Sequence, residues 1–337
     1  MNLKRNTILL TCGAILFTTT GTLLSPMPTQ ASTLEMNQNK IVEIKDPVLK
    51  EAIKQQLGLT PDEEITYENI QKLTDLNVSE SAIKTLEGLE NAHSLKTLYL
   101  YHVQQFDGNL APIAGLTELT ELNVGKANIT DLSPLKDLSK NMVGMSFEDN
   151  PHLTDNNNIL GAFTHLKTLS INNTAISNLD FLKNMYDLDI LFLNNLPLDA
   201  TSHLTYISQN KELTKLSMNN LALSSLEFIR PLQNLQGLSV KDNHITDFRP
   251  LAATKVDTHN DDLFSAENQS ILLPTGTVGT STFVNLCLPQ NDVPVLHWNA
   301  LGELSHNQLT WYETGLNTLD FSSNDGLISG TIQQIIQ

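Results

Sequence analysis

The sequence predicts a mixed α/β solenoid with a short helical segment before it and an all-β unit after it. Three observations carry this reading. The motif L-x-x-L-x-L returns eight times at nearly constant spacing. A helix pattern with its own stop signals precedes the first copy, and two-residue alternation replaces the leucine rhythm after the last. Internal repeats are sought first, because a missed repeat mis-assigns the whole fold.

Residues 1–31 read as a secretory signal peptide rather than as part of the fold. Lys4 and Arg5 precede the apolar stretch "ILLTCGAILF", and small and polar residues follow up to a cleavage point after Ala31. Cys12 lies inside this leader. Thr11 stands before it and the apolar run continues past it, which argues against a lipoprotein cysteine. Cys287 is then the one mature thiol, so no intramolecular disulfide is expected. No second apolar run reaches the roughly 18 residues that a membrane span needs. The leader holds two of the 20 Lys+Arg and none of the 37 Asp+Glu, so its removal takes the net charge from −17 to −19. A chain this acidic repels nucleic acid and anionic membrane.

Residues 32–72 are expected to form a helical N-terminal cap. "DPVLKEAIKQQLG" has Asp46 as N-cap, Pro47 in the first turn and Gly58 as the stop. Val48, Leu49, Ala52, Ile53 and Leu57 make its apolar stripe. A second short helix is expected from Thr66, with Tyr67, Ile70 and Leu73 turned toward the repeats. The acidic run Asp62, Glu63, Glu64 lacks the alternating oxygen ligands and central Gly of a calcium loop, and reads as a solvated turn.

The repeats occupy residues 73–262. Their starts are Leu73, Leu95, Leu119, Met142, Leu166, Leu188, Leu213 and Leu235, at steps of 22 to 25 residues. The second halves agree as well: "ITDLSPLKDL" from Ile129, "ISNLDFLKNM" from Ile176 and "LSSLEFIRPL" from Leu223 share one apolar spacing. This is leucine-rich-repeat spacing. Each unit gives a short strand, a turn and a tight 3-10 or helical return, and only stacked neighbours can share a core. Strands about 4.8 Å apart build a parallel sheet with an open concave face. Position eight of the motif usually holds Asn, whose amide satisfies turn backbone; here only Asn150 and Asn243 keep it, so the other turns must be looser or satisfied otherwise. The second, fourth and sixth units carry extra residues, expected to bulge at the turn or the convex side.

Residues 263–337 alternate apolar and polar side chains between turns, in "SILLP", "STFVNLCL", "PVLHW", "QLTWY", "TLDFS" and "SGTIQQIIQ". That is the pattern of a β-sandwich. Cys287 and Trp298 stand eleven apart, as a core Cys and Trp do on neighbouring strands of immunoglobulin domains, so an immunoglobulin-like C-terminal sandwich is expected. Asp257, His259, Asp261 and Asp262 crowd the junction, yet junction loops are oxygen-rich by composition and no metal or other cofactor is expected.

The exposed face of the sheet can be read by arithmetic, because positions two, four, six and seven of each unit should point into the concavity. Most are Asn, Ser and Thr, as suits a wet surface. The exceptions cluster. Tyr99, Tyr101 and His102 share the second unit, and Ile190 and Phe192 share the sixth. Exposed aromatics bury large area at low entropic cost and are enriched at binding hot spots. About 19 Å separates strands four units apart, a span that a protein partner bridges and a small ligand does not. Lys126, Glu148 and Asp149 lie between and set the polarity. The competing reading is that the tyrosines pack along the sheet, since aromatics and Ile suit strands anyway. Asparagines 172, 173, 194, 195, 219 and 220 read as a structural or solvated polar ladder.

The pieces together resemble the internalin family of Gram-positive bacteria. The helical segment ending in "ITYENIQKLTDLNVSESAIKTLEGLE", the repeats with "NITDLSPLKDL", the join "LFSAENQSILLP" and the closing "SGTIQQIIQ" carry the resemblance, which extends from about residue 40 to the end. It implies a concave face that binds host proteins during infection and a sandwich that rigidly extends the array. "LLPTGT" at 272–277 is one residue short of an LPxTG sorting motif and reads as a strand end, and basic wall-binding repeats are absent. A freely secreted, monomeric, virulence-related protein is therefore expected. The alternative is the ectodomain of a wall-anchored adhesin whose anchor lies beyond this sequence. Enzymatic activity is not expected. The chain has no H-E-x-x-H, nucleophile elbow or glycine-rich phosphate loop. A His102–Asp149 dyad on an open sheet would have no oxyanion donors and would exclude no water.

Overall fold

All eight motif starts, Leu73 to Leu235, are buried, and a three-residue strand begins two residues after each. The computed structural model describes residues 40–138, 140–155, 157–198 and 204–337; the expected leader with Cys12 lies outside them. The strands are β1 (Asp75–Asn77), β2 (Thr97–Tyr99), β3 (Glu121–Asn123), β4 (Gly144–Ser146), β5 (Thr168–Ser170), β6 (Ile190–Phe192), β7 (Lys215–Ser217) and β8 (Gly237–Ser239). Each pairs parallel with the next and in register, so the central residues Leu76, Leu98, Leu122, Met145, Leu169, Leu191, Leu216 and Leu238 stack inside one core. The returns are short 3-10 segments such as Ser133–Leu135 and Glu227–Ile229; the longer sixth unit uses a helix, Leu204–Gln209, instead.

The strands stop because the backbone turns left-handed at position seven of every unit. Glu80, His102, Lys126, Asp149, Asn173, Asn195, Asn220 and Asp242 all have φ between 51° and 59°. Asn and Asp tolerate this region best among side-chain-bearing residues, which accounts for five of the eight. One position on, buried Asn150 accepts from the amides of Ala127 and Ile129 and donates to the carbonyls of Val124 and Phe147. Asn243 does the same for Leu221, Leu223, Met218 and Val240. Each amide therefore serves the turn of the unit before it. Where Asn is missing, Ser81 and Thr174 donate to the carbonyls of Val78 and Ile171, and Val103, Ala127, Leu196 and Leu221 fill the space with apolar groups.

Before the array, helix α1 (Pro47–Leu57) packs on β1 with Leu49 and Ile53 buried, and Gly58 ends it in the left-handed region. Asp46 does two jobs. One carboxylate oxygen accepts from the Val48 and Leu49 amides as N-cap, and the other accepts from the Lys84 amide in the first repeat. Helix α2 (Tyr67–Ile70) starts in a reciprocal capping box between Thr66 and Asn69, as a short helix opening at Thr66 requires.

The repeat pattern runs past residue 262. Strand β9 (Phe264–Leu272) pairs parallel with β8 through Phe264 and Ser265, and its residues occupy repeat positions. Phe264 and Ala266 enter the core, Ser265 hydrogen-bonds Ser239, Glu267 pairs with Lys241, and Asn268 is left-handed. Buried Gln269 takes the place of the turn Asn, accepting from the Ile245 amide and donating to the carbonyls of Val240 and Ala266. The sequence hides this ninth unit because its first position is exposed Asp261 instead of Leu.

The same β9 opens the C-terminal unit. With β11 (Val295–Trp298), β14 (Gly315–Ser322) and β15 (Ile328–Ile336) it extends the solenoid sheet to twelve strands in the order β1 to β9, β15, β14, β11. The expected division at 262/263 is thus crossed by a continuous hydrogen-bonded sheet. A second sheet, β10 (Ser281–Phe283), β13 (Gln308–Trp311) and β12 (Gly302–Ser305), faces it across Trp298 and Trp311, whose rings meet edge-on with centroids 5.3 Å apart. Strand β12, "GELS", escapes sequence reading because it carries one large apolar residue; its hairpin with β13 turns at His306 and Asn307, both left-handed. The expected Cys287–Trp298 core pair is not formed. Trp311 is the buried tryptophan, and Cys287 sits at the junction, its backbone exchanging hydrogen bonds with Thr246 and Phe248 of the last solenoid turn.

Two substitutions test this stitching. Asn150→Ala strands two amides and two carbonyls in the core and should cost about 3 kcal/mol, read as a lowered urea midpoint. Asp46→Ala removes the helix cap and the tie to Lys84 together and should cost about 2 kcal/mol by the same measurement.

Candidate functional site

The concave face is built by rows of side chains that repeat from strand to strand. In its C-terminal half the rows are asparagine ladders. At position six, Asn172, Asn194 and Asn219 each accept from the backbone amide of the same position in the next unit. At position seven, Asn220 donates to Asn195, Asn195 to Asn173 and Asn173 to Asp149. These residues spend their polar groups on one another, as expected of a structural ladder.

The eight expected site residues divide into two groups with different environments. Tyr99 stands on β2 with 37% of its surface exposed, and Phe192 stands half-buried on β6. Both border one shallow depression of about 330 Å³ in the middle of the face. Glu148 lines it too, and its carboxylate accepts from Ser170 at 3.4 Å. The two aromatic clusters of the sequence thus border one depression, through one residue from each. Ile190 is half-buried in the position-two row and does not line the depression.

Tyr101, His102, Lys126 and Asp149 form the second group at the strand ends. Tyr101 lies along the sheet over Gly125: a Cβ there would come within 2.9 Å of its ring and 3.0 Å of the Glu148 side chain. The packing reading therefore holds for Tyr101, which is half-buried, while Tyr99 alone of the pair is open to solvent. Lys126 Nζ sits 5.5 Å from the Tyr101 ring centroid and 3.6 Å from Asp149 Oδ2. The Tyr101 hydroxyl first, and then Asp149, raise the Lys126 ammonium above its ordinary pKa. His102 tilts against the Tyr101 ring at 6.2 Å, and its Nε2 lies 2.7 Å from the Gln104 amide nitrogen. His102 and Asp149 are not a dyad, since Asp149 is engaged by Lys126 and Asn173.

Sequence reasoning missed Glu121 and Gly144. Glu121 pairs in register with Gly144 on the next strand, and its carboxylate folds down over that glycine, where any Cβ would collide with it. It lines the same depression as Tyr99 and Glu148. Burial pushes the Glu121 carboxyl above the usual carboxylate range, with no hydrogen bond or cation to offset it. The signal was available: an acid directly beside a glycine in an otherwise Asn/Ser/Thr face marks a side chain that lies down.

Junction residues behave differently from a metal site. His259 Nδ1 lies 2.8 Å from Asp325 Oδ2, which raises the imidazole pKa. Among the described residues no group of three His, Cys, Asp or Glu is placed to hold an ion. No described helix is long and apolar enough to cross a membrane.

Solved structures show what this architecture matches. Internalin C2 of Listeria monocytogenes superposes with a TM-score of 0.59 at 24% identity, over 65% of this chain and 96% of its own. The fold is internalin-like. Listeria monocytogenes InlF matches at 0.53 and 22% identity over 63% of this chain and 67% of its own. InlP of the same organism matches at 0.52 and 17% over 93% of this chain and all of its own. No family model and no curated protein matches the sequence.

The internalin-like sheet makes a direct pH prediction. A carboxyl whose folded pKa is raised favours the folded state only while protonated, so its contribution is present below the unfolded value and lost as pH rises through the folded one. Glu121→Gln should therefore raise the urea midpoint at pH 7 and leave it unchanged near pH 4. A midpoint unchanged at both pH values would show that the carboxylate carries no burial penalty.

Proposed function

We propose that this protein is secreted and binds a host protein through the concave face of its repeats, as a virulence or host-interaction factor. The observation that carries the reading is the depression shared by Tyr99 and Phe192. Two aromatic side chains from strands four units apart, opening on one concavity of a largely polar face, are the expected form of a protein hot spot. The repeat fold shared with the Listeria monocytogenes internalins agrees with this assignment. Tyr101, His102, Lys126, Glu148, Asp149 and Ile190 contribute the flanking contacts. The open sheet and the acidic surface fit a monomeric binding protein rather than an enzyme or a nucleic-acid or membrane binder. In the same reading the N-terminal helices act as a cap, residues 1–31 direct export, and the C-terminal immunoglobulin-like sandwich extends the array rigidly.

The test is capture from host-cell surface extract and lysate by wild type and by Tyr99→Ala/Phe192→Ala, with matched melting curves. A host protein held by wild type and lost, by about tenfold or more in affinity, by the folded double variant is the expected result. A host protein held equally by both would place binding elsewhere on the molecule.

A further inference from the structure

We propose that the depression between Tyr99 and Phe192 receives a basic side chain, arginine above all, from a loop of the protein partner. The Glu121 carboxylate would take its charge and the Tyr99 ring, one strand away, its stem. This rests on the concave-face reading above and specifies the chemistry of what enters.

The charge balance of the face leads there. Elsewhere on the face Asp149 is held by Lys126 and Asn173, and Glu267 by Lys241. Glu121 is half-buried against Gly144 and has no donor among the described residues. Glu148 has one long hydrogen bond, from Ser170. The nearby cation, Lys126, is already held by Tyr101 and Asp149 at the strand ends. A half-buried carboxylate with neither donor nor cation is unfavourable, and a cation supplied by a partner would relieve it.

Shape and walls narrow the occupant further. A depression of about 330 Å³ that stays open to solvent suits one long side chain, whereas small-molecule sites enclose most of their ligand. Aromatic faces attract cations, and guanidinium stacks on rings while its fork meets carboxylates two bonds at a time. A net charge of −17 draws a basic surface toward the face and repels phosphate-rich partners.

The experiment selects phage-displayed, disulfide-closed peptide loops on the full chain, and removes loops that still bind Tyr99→Ala/Phe192→Ala. The loops that remain should share an Arg or Lys at one position and lose binding when it becomes Gln. They should also bind Glu121→Gln about tenfold more weakly, and weaken further in salt. The urea midpoint of Glu121→Gln, measured alongside, separates such a loss from unfolding: the loss counts only where the midpoint is not lowered. Remaining loops without a shared basic residue, or with unchanged affinity for Glu121→Gln, overturn the proposal and leave the concave-face reading standing. If every selected loop binds the Tyr99→Ala/Phe192→Ala protein as well as wild type, both fall.

Discussion

Every unit of this chain leaves backbone groups that only its neighbour can satisfy. Three-residue strands such as Thr97–Tyr99 have no independent stability, and their hydrogen bonds run entirely to the strands before and after. The same dependence governs the turns, where Asn150, Asn243 and Gln269 each serve amides one unit back. Stacking is therefore the condition for everything else. It sets the strand spacing, the register of the exposed rows and the distance between Tyr99 and Phe192.

Gln269 carries that condition across what the sequence presents as a boundary. Its amide closes the turn of the eighth unit, while its own strand, β9, pairs on the other side with β15. The solenoid needs a cover for its last unit, and the C-terminal unit needs a partner for β15; one strand meets both needs. Its polar face continues the concave rows through Ser265, Glu267 and Asn268. The exposed sheet is thus a single surface. Against that regular background some side chains lie down over a glycine of the next strand, Tyr101 on Gly125, Glu121 on Gly144 and Lys215 on Gly237.

Periodicity made the solenoid legible, since leucine spacing fixes which side chains face inward whatever else varies. Asp46, Pro47 and Gly58 likewise announce their helix by capping chemistry that acts locally. The site was half legible. Tyr99 and Phe192 could be placed on the open face by counting, but whether an aromatic stands up or lies flat depends on the residue beside it in the next unit. Gly125 settles that for Tyr101 from 24 positions away in the chain. His102 and Lys126 leave from the left-handed turns just past the three-residue strands, where both meet the Tyr101 ring. The ninth unit was hidden because Asp261 breaks the leucine rule at its first position, and Cys287 misled because its spacing from Trp298 imitates a core pair that the chain does not form.

Both tryptophans, Trp298 and Trp311, lie in the C-terminal unit, while the α-helices, Pro47–Leu57, Tyr67–Ile70 and Leu204–Gln209, lie in or before the repeats. That separation permits a direct measurement: urea unfolding followed at once by tryptophan fluorescence and by far-ultraviolet circular dichroism. If β9 makes the twelve strands one cooperative surface, the two signals change together with one midpoint. A fluorescence transition complete while the dichroism of the repeats persists would contradict it, and would mean that the concave face ends where the leucines do.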